Sequence, residues 1–498
     1  MCIAYVDPGN IESDLQAGAQ GGYQLLWVLF WSTIVGGMMQ CLAARAGVVT
    51  GKHLAQLCRE EYPRVPRYAL WIMTELAIIG SDIQEVIGSA IALELLSHGW
   101  IPLWLGVLIT AADTFTFLFL DGYGIRRLEF FFYFLLSVMV VAFGTEYIIS
   151  EPETAEVIKG IIFPTMDHSL ISQAVGMIGA VIMPHNLFLH SALVQSRSVN
   201  QRSKSAVRQA NMYYAIETTG ALLCSFLINL FVMAVFAKGF YNVPGIKADD
   251  IGLHNAGEYL GNRYGQVALY IWAFGLLAAG QSSTMTGTYA GQFVMSGFLN
   301  LKIEKWKRVL ITRTIAIVPA ILVATFAKAN VDGLDEMLNV LQSIQLPFAL
   351  LPLIRFTSDE FIMGDFQNGK KLQLLVKTLS VVIICVNIYL VVDKTADLLP
   401  HTFVMIAGMS CFGIAYLTFC LYVAYPELFH ANFSQLMERD GTYVKLVSCG
   451  TISEDDEDEE PRSHATTLSE VVAEDTPLLT TDVTSTSSSD DKRHHHAS

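Results

Sequence analysis

Apolar residues in this chain come in long runs, and most of the charge is confined to the short segments between them. A helix needs about 20 apolar residues to cross a bilayer. By that measure the runs predict about twelve helices, over 1–19, 23–47, 68–97, 101–120, 127–149, 170–197, 206–238, 258–298, 308–327, 335–354, 372–392 and 402–424. Several exceed a minimal span and are expected to tilt or to extend past the membrane. The pattern predicts an all-α polytopic membrane protein with a transmembrane domain over 1–425. A polar tail over 426–498 follows.

Composition agrees with the pattern. The 498 residues are 53% hydrophobic and 15% charged, where a soluble domain carries about 25% charged residues. Mean hydropathy is +0.44. The formal charge of −15 says little about partners, because −10 of it falls in 451–498. The remainder is near balance and gives no nucleic-acid footprint. Eight cysteines show no CxxC spacing and lie mostly in apolar runs, so no disulfide framework is expected. The start of the chain has no cleavable signal pattern.

Basic residues mark alternate loops. Arg45, Lys52, Arg59, Arg64 and Arg67 share one. Arg197, Arg202, Lys204 and Arg208 share another, and Lys302, Lys305, Lys307 and Arg308 a third. The intervening loops are poorer in bases, so the basic loops and both chain ends are predicted to face the cytoplasm.

Two breaks interrupt the apolar helices. Asp7-Pro8-Gly9-Asn10 lies in the first and Met183-Pro184-His185-Asn186 in the sixth. Each places a helix breaker among ligand-type side chains, and in lipid a freed carbonyl must line a protein cavity or bind something. The two helices run in opposite directions, as expected for inverted five-helix repeats with a site at the midplane. Asp7 would supply charge, Asn10 a neutral oxygen, the Ala180 carbonyl a backbone ligand and Met183 sulfur. A thioether disfavours Mg2+ and Ca2+ relative to Mn2+, Fe2+, Co2+ and Cd2+. A Met in a membrane helix is more often packing filler, and a lone Pro is more often a kink. The two breaks in matching places carry the metal reading.

The third helix holds Glu75, Asp82 and Glu85 on one side, and intramembrane carboxylates usually face a polar path. His185 can titrate near physiological pH. His190 and Arg197 continue along the sixth helix, and Arg313 in the ninth needs an acidic partner. The bland reading of these charges is a static buried ion-pair network.

The segments IAYVDPGNIESDLQAG (3–18), GAVIMPHNLFLHSALVQSR (179–197), GQSSTMTGTYAGQFVMSGFL (280–299) and QLPFALLP (345–352) resemble segments of the natural resistance-associated macrophage protein (Nramp) family. The resemblance covers roughly 1–425. It implies a LeuT-like fold of 5+5 inverted repeats plus two extra helices. It also implies proton-coupled import of divalent transition metals into the cytosol by alternating access. Metal and proton would be transported substrates, with no cofactor and no enzyme activity. Residue by residue, Asp7, Asn10, Ala180 and Met183 fall on the family's metal ligands. Asn339 falls where the family has an amide that joins the site in some conformations. His185 and Asp82 match positions implicated in proton transfer. The 280–299 segment reads as packing or gating through its small and hydroxyl residues.

The chain departs from the family in having six residues before Asp7 and Ser296 where an acid is expected. The short start predicts a largely missing inner half of the first helix. A non-transporting regulator or receptor is therefore the alternative, beside a Mg2+ or trivalent-ion carrier, which Met183 opposes, and a sodium-coupled amino-acid carrier. The acidic, Ser/Thr-rich tail predicts disorder. Within it, Glu474, Leu478 and Leu479 fit an acidic dileucine signal for clathrin adaptors, which predicts an endosomal, lysosomal or plasma-membrane location. The partners expected are membrane lipid, divalent metal ions and protons.

Overall fold

The computed structural model describes residues 5–121, 125–243, 251–300, 304–326, 331–398 and 403–429. These fall in one unit, Met1–Phe433. The tail, with Glu474, Leu478 and Leu479, lies outside the described residues.

Among the described residues, each expected span falls largely on helix. The first block holds α1 (Pro8–Gly21), α2 (Leu26–Thr50), the short α3 (Leu54–Glu61), α4 (Arg64–Leu96), α5 (Leu103–Asp121) and α6 (Ile125–Ser150). The connecting α7 (Thr154–Ile162) leads to the second block, which opens with α8 (Ile171–Val181) and α9 (Pro184–Leu193). It continues through α10 (Lys204–Phe240), α11 (Leu253–Tyr264), α12 (Gln266–Leu299), α13 (Lys305–Phe326) and α14 (Val331–Ser358). The single turn α15 (Glu360–Met363) precedes α16 (Lys370–Leu398) and α17 (Phe403–Ala424). Among the described residues, seven helical stretches are long and apolar enough to cross a membrane, and three shorter apolar helices accompany them. The chain is a multi-pass integral membrane protein.

One expectation needs correcting. The run 258–298 is two helices, because Gly265 takes φ +101 between α11 and α12. A positive φ of this kind suits glycine, so the apolar run can turn there without a polar loop.

The packing exchanges elements between blocks. α1 lies on α10, and the α8–α9 pair lies on α2. α6 lies on α12, and α14 on α4. The third helices of the two blocks, α4 and α12, pack on each other, as do the second helices, α2 and α10. Such exchange is what two repeats related by a two-fold axis require. Two apolar clusters fill the bundle, one around Leu29, Phe188 and Phe356 and one around Ile11, Trp272 and Phe236. Large apolar side chains on the outer helices, such as Phe130, Ile148 and Val318, face outward, as a lipid-facing surface does.

α11 is fastened to α1. The Leu253 amide donates to Glu12 Oε2 at 2.9 Å, and Gln16 Nε2 donates to Glu12 Oε1 at 2.9 Å. A carboxylate at the first turn satisfies an otherwise unpaired N–H and complements the helix dipole. His254 of α11 also pairs with Glu94 of α4 at 3.3 Å.

Candidate metal site

The first break is a helix start. Asp7 caps α1 with extended backbone (φ −105, ψ 170), and Pro8 occupies the first helical position, where its missing N–H costs nothing. Asp7 Oδ1 accepts from the Asn10 backbone N–H at 2.7 Å and from Asn10 Nδ2 at 2.9 Å. This leaves Asn10 Oδ1 buried and without a hydrogen-bond partner. From the adjoining segment, the Tyr5 carbonyl is taken by Ser225 Oγ at 2.8 Å and Asn229 Nδ2 at 3.3 Å, both on α10.

The second break follows the same logic. α8 ends at Val181, Ile182 turns aside at φ −108 and ψ 72, and α9 restarts at Pro184 with Met183 as its extended cap residue. Four residues after Ala180 stands Pro184, which has no N–H to give the Ala180 carbonyl. Ala180 and Met183 are both buried. His185 is buried too, and its Nδ1 has no hydrogen-bond partner.

α14 brings the two breaks together at Asn339. Asn339 Nδ2 donates to the Gly9 carbonyl at 3.1 Å. On its other side, Gly179 of α8 is so close that an added Cβ would collide with the Asn339 backbone oxygen. Asp7 and Asn10 at the start of α1, Ala180 at the end of α8 and Met183 before α9 thus flank breaks that both border Asn339 of α14. Among the described residues no cation pairs with Asp7. A carboxylate this dry calls for a positive partner, and an amide oxygen, a carbonyl and a thioether on neighbouring backbone are the donors at hand.

The α4 carboxylates form a column against α12. A Cβ at Gly287 would stand 3.1 Å from Asp82 Oδ1 and 3.2 Å from Glu85 Oε1, so this glycine lets both acids lie flush with α12. Ser81 Oγ donates to Glu85 Oε1 at 3.1 Å. Further along, Arg308 Nη2 meets Glu75 Oε1 at 3.3 Å with both side chains nearly buried, and Trp71 Nε1 donates to the same oxygen at 3.1 Å. The 280–299 segment therefore supplies the small surface on which this column rests.

Other expected proton-route residues are placed differently. His190 Nδ1 lies 2.7 Å from Gln40 Oε1. An amide oxygen only accepts, so Nδ1 carries the proton. Arg197 pairs with Glu217 at 3.6 Å, with both side chains more than half exposed. The Arg313 side chain lies outside the described residues. Outside the spans, His53 meets Phe293 edge to face, and burial pushes its imidazole down to about 4.

Four residues of this region are not among the sequence-derived candidates. Arg308 reads in sequence as a loop base, Gln40 and Gln84 as ordinary polar residues of apolar helices. Asp14, two turns after Asp7, is buried with Oδ2 unpartnered and lies within electrostatic reach of Asp7. The i, i+7 spacing of the two aspartates is the signal that would have found it.

Known proteins resemble this chain in sequence and fold. The profile of the family described as natural resistance-associated macrophage protein-like matches residues 1–393. The chain is 56% identical over 440 residues to the metal transporter nramp1 homolog of Dictyostelium discoideum, covering 88% of this chain and 81% of that one. The manganese transporter of Eremococcus coleocola, solved with an aromatic bis-isothiourea compound, superposes with TM-score 0.76 at 28% identity, covering 86% of this chain and 92% of that one. Mhp1, a nucleobase-cation-symport-1 family transporter, matches at TM-score 0.54 and 15% identity, a likeness of the LeuT-like fold alone. With its interrupted helices, inverted blocks and these relatives, the chain belongs to the Nramp family of metal transporters.

Proposed function

We propose that this protein imports divalent transition metal ions, Mn2+ and Fe2+ and also Co2+ and Cd2+, into the cytosol together with protons, by alternating access. One observation carries the reading. Beside the capping Asp7, Asn10 Oδ1 is buried and unpartnered, and α14 joins this break to a second one where the Ala180 carbonyl has lost its helical donor. Asp7 supplies the charge, Asn10 and Ala180 neutral oxygens, and Met183 a soft ligand. Asn339 stands ready between the breaks. The contacts of Asn339 with Gly9 and Gly179, one at each break, support transport over a non-transporting regulator.

Protons pass from His185 or Asp7 to Asp82 and Glu85, and then past Glu75 with its partner Arg308. His190 and Arg197 extend the sixth helix toward the basic loops, with Arg313 in the ninth. In this reading both chain ends are cytoplasmic, and the tail signal at Glu474, Leu478 and Leu479 recruits clathrin adaptors for endosomal or lysosomal delivery, or return from the plasma membrane.

Two variants separate the parts. Asp82→Asn keeps the shape of a side chain that touches α12 but cannot carry a proton. It should depress acid-driven proton entry more than Mn2+ binding, read as intracellular acidification beside equilibrium Mn2+ titration. Undiminished acidification would remove Asp82 from the route. Met183→Leu keeps the volume and removes the sulfur. Ca2+ should then compete with Mn2+ uptake several-fold better, and unchanged competition would demote Met183 to packing.

A further inference from the structure

Three buried side-chain amides form a directed chain that ends on the first break. Gln342 Nε2 of α14 donates to Gln84 Oε1 of α4 at 2.9 Å. Gln84 Nε2 donates to Asn339 Oδ1 at 2.9 Å and to the Asp335 carbonyl at 3.2 Å. Asn339 Nδ2 then donates to the Gly9 carbonyl at 3.1 Å. All three amides are essentially inaccessible, with Gln84 at 1%, Asn339 at 1% and Gln342 at 0% exposure. The Gln84 amide also lies directly on Gly9, where an added Cβ would stand 2.8 Å from both its Nε2 and its Oε1.

An amide has a donor end and an acceptor end, and burial makes a mismatched pairing costly. Gln342 offers Gln84 a donor, so Gln84 must turn its oxygen that way and its NH2 toward Asn339. Asn339 must in turn give its oxygen to Gln84 and its NH2 to the break. We infer that Gln84 is a positioning residue that fixes the polarity of the Asn339 amide, keeping its oxygen away from the Asp7–Asn10 site and so holding that site one oxygen poorer. Hard cations such as Ca2+ need more oxygen ligands than the transition metals do. Gln84 is thus a determinant of selectivity, acting through Asn339 from the helix that also carries Asp82 and Glu85.

The inference rests on the metal-site reading above, and the test distinguishes the two. Purified protein in detergent is titrated with Mn2+ and with Ca2+, and the ratio of the two dissociation constants is compared across variants. Gln84→Glu has no donor, so it takes the Asn339 NH2 and turns the Asn339 oxygen to the break. Gln84→Met removes the clamp without adding charge. Both should move the ratio toward Ca2+, Gln84→Glu by about tenfold, the scale of one hydrogen bond to a charged group. The shift should vanish when Asn339→Leu is added. A third variant, Asn339→Asp, leaves Gln84 in place and puts an oxygen at the break directly, and should show the same shift even where the Gln84 variants fold poorly. A ratio unchanged in both Gln84 variants overturns the assignment of Gln84, and so does a Gln84→Glu shift that persists on the Asn339→Leu background. Absence of Mn2+ binding to the unmodified protein overturns the metal-site reading instead.

Discussion

Asp7→Asn should abolish acid-stimulated Mn2+ uptake in cells at matched surface levels while leaving the fold in place. The substitution is chosen because Asp7 has two roles. As a cap, its Oδ1 receives the first N–H groups of α1, and Asn caps about as well as Asp. As a charge, Asp7 is the one anion among the proposed ligands Asp7, Asn10, Ala180 and Met183. Removing one partner of a buried charge pair costs about 3–5 kcal/mol, which is roughly two to four orders of magnitude in affinity. Asp7→Ala removes the cap as well and serves as the harsher comparison. Uptake by Asp7→Asn within a few-fold of the unmodified protein would sink the site.

Gly179→Ala should raise the Mn2+ concentration for half-maximal uptake at least about tenfold, with insertion and folding preserved. Its Cβ would meet the Asn339 backbone oxygen, and it would stand 2.8 Å from both the backbone nitrogen and Cβ of Ser343. Overpacking of this kind costs about 1–3 kcal/mol, and here it acts one residue before Ala180. Gly176→Ala is the matched control. Its Cβ would stand 3.9 Å from Asn339 Cβ, an ordinary contact. Both variants gain about 1 kcal/mol in helix propensity, so any difference between them comes from the contact with α14. Equal behaviour would mean that α8 and α14 separate freely and that their contact does not position the ligands.

Hydropathy located the helices because a span must be long and apolar whatever it packs against. The breaks were legible for a similar reason: proline removes an N–H in any context. Partners were not legible. Arg308 stands at the edge of an apolar run and reads as one more cytoplasmic base, yet it reaches inward to Glu75. Gln84 carries no sequence mark that separates it from a glutamine facing a water-filled groove, and its importance comes from two residues of α14 more than 250 positions away. The division of 258–298 escaped notice because α11 keeps enough apolar residues to extend the run, and only the backbone angle of Gly265 reveals the turn. Pattern therefore reported single-helix properties well, and contacts between helices hardly at all.

The bond from the Leu253 amide to Glu12 Oε2 has a practical consequence. It joins the first turn of α11 to the helix that starts at the capping Asp7. Any rearrangement that carries α1 away from α11 must uncap that turn and open its amide to solvent. Deuterium uptake at Leu253 would then serve as a clock for the transport cycle, slow whenever α1 is docked and fast whenever it departs. Such a readout follows a backbone hydrogen, so it needs no attached probe, no mutation and no bound ion to be seen.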